Sequence, residues 1–220
     1  PSVWGKDGEF LSAPRLDALQ CASTSSAGFL RGADDRAVNV FACFDNEEVG
    51  SNTKQGAGST FLKDVLERIN EGLGKTREEL CRALASSFMV SCDNAHAVHP
   101  NHPEKTDQSN CVYMNEGIVI KSHAGQQYTS DAFSIAVWRG VCERAGVPVQ
   151  FFANRSDMRG GSTLGNIAMS QVSMNAVDIG LAQLAMHSSY ETAGVRDSEY
   201  MIRAVKAFFD SGICEYTLGR

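Results

Sequence analysis

Short apolar runs rich in β-branched residues recur at 38–44 (VNVFACF), 87–92 (SFMVSC), 117–122 (GIVIKS), 147–153 (VPVQFFA) and 175–181 (NAVDIGL). Each has the length of a buried strand. Between them the apolar positions change to a helical period. Residues 60–73 place Phe61, Leu62, Val65, Leu66 and Ile69 on one stripe. Residues 76–87 open with Thr76 and carry Glu79 three positions on, the pairing of a capping box. Residues 130–146 begin with Ser130-Asp131 and close on Gly146, a start and a stop signal. A fourth helix is predicted over 197–212. Strands alternating with such helices predict an α/β fold, a largely parallel sheet flanked by helices.

In sheets of this kind ligands bind at the carboxyl ends of the strands. The residues after each apolar run therefore carry the functional signal. Asp45-Asn46-Glu47-Glu48 follows the first run; Asp93, His96 and His99 follow the second. Asn154-Arg155-Ser156-Asp157 follows 147–153, and Gln183 and Met186-His187-Ser188 follow 175–181. Three of these ends offer metal-ligand types. The adjacent Glu47 and Glu48 need an explanation, because like charges repel and a buried unpaired carboxylate is costly. Zinc accepts imidazole nitrogen and carboxylate oxygen and keeps a position for water in catalytic sites. One glutamate can then bind metal while its neighbour serves as a general base. The i, i+3 spacing of His96 and His99 would suit a metal if that stretch were helical.

Composition narrows the field. The 220 residues are 43% hydrophobic and 21% charged, ordinary for a globular protein of one large domain or two small ones. A net charge of −6 with no basic block argues against nucleic acid as the main partner. No apolar run approaches the roughly 20 residues of a membrane span. The seven cysteines, including Cys214, are scattered and form no CxxC pair, which fits reduced thiols in a cytoplasmic protein. The start, PSVWGKDGEF, has no signal-peptide character and reads as the interior of a longer chain. Gly160-Gly161-Ser162-Thr163 lacks the Gly-Lys-Ser/Thr ending of a phosphate loop.

Six segments in order, SAPRLDAL (12–19), FDNEEVGS (44–51), DNAHAVHPNHPEKTD (93–107), GIVIKSHAGQQYTSDA (117–132), RSDMRGGSTLGNI (155–167) and DIGLAQLAMHSSYETAG (178–194), resemble the C-terminal part of the aspartyl aminopeptidases. These are cocatalytic di-zinc exopeptidases. The resemblance implies that Asp17 bridges two zinc ions, that Glu48 and His187 bind one of them, and that Asp93 is a terminal ligand of the other. It implies Glu47 as the general base for attack of a metal-activated water. Lys121 would pair with the acidic side chain of the substrate, a peptide beginning with Asp or Glu. Tyr128, Gly160 and Gly161 match substrate-facing positions. His96 and His99 are read either as substrate-facing or second-layer groups or as packing residues, with Arg159 a further candidate for charge recognition. Cobalt or manganese would also suit the ligands.

The resemblance also implies a single partial catalytic domain over 1–220, with the family's dimerisation domain essentially absent. The family's remaining histidine ligand lies in an N-terminal segment that has no counterpart here. The family usually has Asn where Ala18 stands and Pro where Ala182 stands. The partners implied are a homo-oligomer or a complementary N-terminal chain. Two alternatives stand beside the active enzyme: an inactive or half-site subunit, and a di-zinc amidohydrolase of different specificity.

Overall fold

The computed structural model describes residues 1–158 and 160–213; Arg159 and Cys214 lie outside the described residues. The strands are β1 (Ser2–Trp4), β2 (Phe10–Ala13), β3 (Phe88–Cys92), β4 (Ala95–His96), β5 (Ile118–Ser122), β6 (Val149–Ala153), β7 (Asn175–Gly180), β8 (Ala182–Leu184) and β9 (Glu191–Gly194). The helices are α1 (Leu16–Arg31), α2 (Phe61–Gly72), α3 (Arg77–Ala85), α4 (Ala132–Ala145), α5 (Leu164–Ala168) and α6 (Val195–Asp210).

Local chemistry sets the helix ends. Before α3, the Thr76 hydroxyl accepts from the Glu79 amide while the Glu79 carboxylate accepts from the Thr76 amide. Before α4, Asp131 and Ser134 make the same reciprocal cap, and Gly146 ends the helix at φ 62, a left-handed position suited to glycine. α1, rich in Ser, Thr and Ala, shows no apolar stripe in the sequence. Small residues let it lie close to α6: a Cβ on Gly28 would sit 2.7 Å from Val205 Cβ.

β3, β7, β5 and β6 form one sheet in that order. β3 with β7 and β5 with β6 are parallel, and β5 with β7 is antiparallel. Alternation along β5 divides its two faces. Ile118 and Ile120 join the core made with Trp138 and Val141 of α4 and Met201 and Val205 of α6. Val119 faces a smaller core with Val112, Tyr128 and Phe152.

A second sheet runs β1-β2-β9-β8-β4, antiparallel except for β4 with β8. Two segments, β3 to β4 and β7 to β8, pass from the first sheet into the second while staying paired. The Asp93 amide donates to Ile179 O (3.0 Å), Ala95 to Leu181 O (2.8 Å) and Ala97 to Gln183 O (2.8 Å). Asp93 and Asn94 occupy that crossing.

The run at 38–44 is not a strand, contrary to the expectation from its composition. A strand is held by hydrogen bonds to a neighbour, and among the described residues the backbone of 38–44 makes none. It lines a groove of about 1040 Å³ shared with β3, whose outer edge is also unpaired among the described residues. Side chains hold it in place: Phe41 stacks on Phe29 at 5.9 Å and Phe44 meets Phe61 edge-on at 6.2 Å. His96 lies on the two-residue strand β4 and not on a helix, so the helical reading of the His96/His99 spacing fails.

Candidate metal centre

Asp17 stands where β2 hands over to α1. Arg15 is left-handed (φ 61), and Asp17 (φ −56, ψ 142) and Ala18 (φ 55, ψ −49) break the first turn of the helix. Glu47 and Glu48 lie on a tight turn after a left-handed Asn46 (φ 61). That turn is closed by Gly50 N donating to Glu47 O at 2.8 Å and Ser51 N to Asn46 O at 2.9 Å. His187 is itself left-handed (φ 67), in a turn closed by Ser188 N to Ala185 O at 2.9 Å. Left-handed non-glycine residues cost on the order of 1–3 kcal/mol each and cluster at functional sites. Here they flank or coincide with each of the three segments.

These segments bring Asp17, Glu48 and His187 together, with one ligand atom of each within 4.8 Å of the others. His187 Nε2 is 3.2 Å from Asp17 Oδ2 and 3.0 Å from Glu48 Oε2. Two donors bound tetrahedrally to zinc at their usual bond lengths lie about 3.3 Å apart. The spacing and the nitrogen–oxygen donor set therefore fit zinc. No second group of three such side chains is found among the described residues.

Charge crowding supports the same fit. Burial, then Asp93 and Glu48, pushes the Asp17 carboxyl up to about 7. Burial, then Asp93, Glu48 and Asp17, pushes Glu47 up to about 7. A cation placed among these groups reverses that cost.

Asp93 stands outside the three-residue group. Its Oδ2 accepts from Lys121 Nζ at 3.1 Å, while its Oδ1 is buried with no hydrogen-bond partner among the described residues. A buried carboxylate oxygen without a donor suits a metal ligand. Lys121, at the end of β5, also donates to Asn94 O at 2.8 Å and lies 5.6 Å from the centre of the Tyr128 ring. Burial lowers its pKa, but Asp93 and Asp178 outweigh that and the net shift is upward. The Tyr128 hydroxyl accepts from Asn154 Nδ2 at 3.3 Å, and Gly160 packs so tightly against Asn154 that a Cβ would fall 2.1 Å from that nitrogen. Gly161 faces open space. His96 and His99 are both exposed, with the His99 ring 5.3 Å from that of His102.

Two buried residues, Asn94 and Glu191, hold the site together without a mark in the sequence pattern. Asn94 Nδ2 shares its two N–H groups among Leu16 O (3.3 Å), Gln20 Oε1 (3.1 Å) and Gln183 Oε1 (2.6 Å), and its Oδ1 accepts from Cys21 Sγ (3.0 Å) and Leu181 N (3.3 Å). It ties α1 and β8 to the crossing beside Asp93. Glu191 accepts the amide of Asp17 at Oε2 (3.0 Å) and the amide of His187 at Oε1 (2.7 Å). Neither carries a sequence signal beyond its place next to a candidate ligand or in a strand.

An α/β fold that gathers a carboxylate–imidazole donor group on the turns after β2 and β8 and on the Glu47-Glu48 turn is built as a metal-binding scaffold. Residues 1–209 match the model of the aminopeptidase I zinc metalloproteases (M18), and the chain belongs to that family. It is 49% identical over 208 residues to a probable M18 family aminopeptidase 2 of Clostridium acetobutylicum, covering 94% of this chain and 48% of that one. The corresponding Mycobacterium tuberculosis protein is 41% identical over 209 residues, with 93% and 48% covered. The chain spans about half the length of these curated relatives. Among solved structures, Ape4 in its complex with Nbr1 superposes with a TM-score of 0.88 at 37% identity, over 94% of this chain and 41% of that one. The M18 aminopeptidase of Thermotoga maritima gives 0.87 at 25% identity, over 96% and 48%. The S. cerevesiae mApe1 dodecamer gives 0.83 at 26% identity, over 100% and 50%. No helix among the described residues is long and apolar enough to cross a membrane.

Proposed function

We propose that this chain carries the zinc-binding and proton-transfer half of an aminopeptidase that removes N-terminal Asp or Glu from peptides. The observation that carries the reading is the Asp17–Glu48–His187 donor group, with the half-buried Glu47 beside it in sequence. Asp17, Glu48 and His187 would hold one zinc ion; Asp17 and the unpartnered Asp93 Oδ1 are the donors for a second. Bound there, zinc would acidify a water and polarise the scissile carbonyl.

Glu47 takes the proton of the attacking water and delivers it to the leaving amine. A carboxylate that stands beside the donor group without belonging to it is the residue type for both transfers. Lys121 supports the acidic preference. An ammonium has three N–H donors; two are used on Asp93 and Asn94, leaving one for a substrate carboxylate. Exclusion of water from Lys121 strengthens such a pair. The unpaired cysteines among the described residues suit a reducing, cytoplasmic setting, and the dodecameric likeness supports a homo-oligomer.

A second reading is favoured by one observation. Among the described residues, the unbonded backbone of 38–44 and the unpaired edge of β3 line one groove, as expected of a half-site subunit completed by another polypeptide. Metal content by elemental analysis, with hydrolysis of Asp-, Glu- and Leu-initiated peptides on the same sample, separates the readings. Bound zinc with acid-selective turnover supports the enzyme. Bound zinc without turnover supports the half-site. Equal turnover of all three peptides removes the acidic specificity.

A further inference from the structure

Glu191 opens β9 four residues after His187, and its register partner on β2 is Ala13, four residues before Asp17. One antiparallel strand pair thus delivers both candidate ligands. Beyond Ala13 and before Glu191 the two chains part. The Glu191 side chain fills the fork. It is 2% exposed, and no cationic side chain among the described residues lies within salt-bridge distance of it. Its two carboxylate oxygens are divided between the two ligand residues, one amide each.

The stereochemistry of the fork explains why a carboxylate stands there. The backbone at Ala18, directly after Asp17, and at His187 has a positive φ that non-glycine residues avoid. Each turn also presents an amide that a regular helix or strand would satisfy. Two N–H groups converging on one buried point need two acceptors. Asp lacks the reach of Glu, Gln offers an acceptor and a donor, and an apolar residue leaves both amides unpaired. The geometry points to Glu191 as a positioning residue that fixes the Asp17–His187 separation, and through it the zinc affinity, by clamping both ligand residues at the backbone. This rests on the reading of Asp17 and His187 as zinc ligands.

The test is the zinc dissociation constant of the full chain, measured by competition with a chelating dye, for wild type, Asp17→Ala, His187→Ala, Glu191→Gln and Asp197→Asn. Groups that orient metal ligands typically change affinity by about 10–100-fold when replaced. Glu191→Gln is expected to fall in that range while folded by circular dichroism. Asp197→Asn removes another buried carboxylate that accepts backbone amides but touches neither ligand, and should leave the affinity as in wild type. Wild-type affinity in a folded Glu191→Gln overturns the proposal. Unchanged affinity in Asp17→Ala and His187→Ala instead overturns the ligand reading on which it stands. Should Glu191→Gln fail to fold, amide hydrogen exchange in the zinc-free wild type decides. Slow exchange at both Asp17 and His187 supports the clamp, and exchange at the rate of exposed turns overturns it.

Discussion

Lys121 Nζ lies 3.1 Å from Asp93 Oδ2, with the two side chains only 3% and 13% exposed. Removing one partner of a buried pair leaves the other charge uncompensated, which costs about 3–5 kcal/mol. Here the orphan would add to Asp17 and Glu47, which Asp93 already pushes upward. Lys121→Met should therefore lower the unfolding free energy of the zinc-free chain by about that amount in urea titrations. A loss below about 1 kcal/mol, the scale of an exposed pair, would mean that water reaches Asp93. In the active protein the same variant should lose turnover of Asp- and Glu-peptides far more than of Leu-peptides. An equal loss for all would remove Lys121 from substrate recognition.

Glu47→Gln keeps the shape of the side chain and removes its capacity to accept a proton. General-base catalysis typically contributes about 10²–10⁴-fold, so kcat should drop within that range. Zinc content should stay at the wild-type level, because Glu47 is outside the three-residue donor group. Elemental analysis beside the kinetics separates the two effects. Zinc lost together with activity would make Glu47 a ligand.

Much of the fold was legible where its cause is local. Thr76 with Glu79 and Asp131 with Gly146 mark helix ends through bonds within a few residues, and α3 and α4 stand where those signals put them. The pattern failed where the cause is distant. VNVFACF has strand composition, but pairing depends on a neighbour, which it lacks among the described residues. α1 buries Cys21, Thr24, Ser25 and Gly28, residues too small to draw an apolar stripe. The strands of the second sheet are two to four residues long, too short to show a period. At the site, Asp17, Glu48 and His187 came from the family resemblance, and the structure brings those three together. Glu191 was invisible because an acid at the start of a strand looks like any exposed residue. Its burial is set by a contact spanning 174 positions.

Asp197 offers a pH test away from the donor group. Its oxygens accept the amides of Asn115 at 2.6 Å and Gly117 at 3.0 Å, yet burial outweighs these bonds and raises its carboxyl from 3.8 to about 6. The folded chain then holds this proton more tightly than the unfolded chain does. Its contribution to stability is complete below pH about 4 and is lost as pH rises through about 6, a decline of about 2–3 kcal/mol. Subtracting the urea stability of Asp197→Asn from that of wild type at each pH cancels the titration of the rest. The difference should fall across that window. A flat or rising difference would mean that the two amides, and not burial, dominate.

Gly180, at the end of β7, tests how tightly the crossing is built. A Cβ there would fall 1.9 Å from Asp93 O and 3.0 Å from Asn94 Cα, both backbone atoms that no rotamer change can move. The close approach is what lets β3 continue into β4 beside β7 and β8 with Asp93 at the turn. Overpacking of this kind costs about 1–3 kcal/mol when the surroundings can shift. Gly180→Ala should be destabilised by at least that amount, and its zinc affinity should fall as Asp93 and Asn94 are displaced. Gly72, near the end of α2, is the matched control, with nothing within 4 Å of its Cβ position. Gly72→Ala should gain about 0.4–1 kcal/mol through the lower entropy of the unfolded chain. Urea midpoints for the pair, measured under one buffer, give the comparison. If Gly180→Ala were as stable as wild type, the Asp93–Asn94 backbone would be free to move, and the fixed position that this crossing gives Asp93 would no longer explain how the site is held.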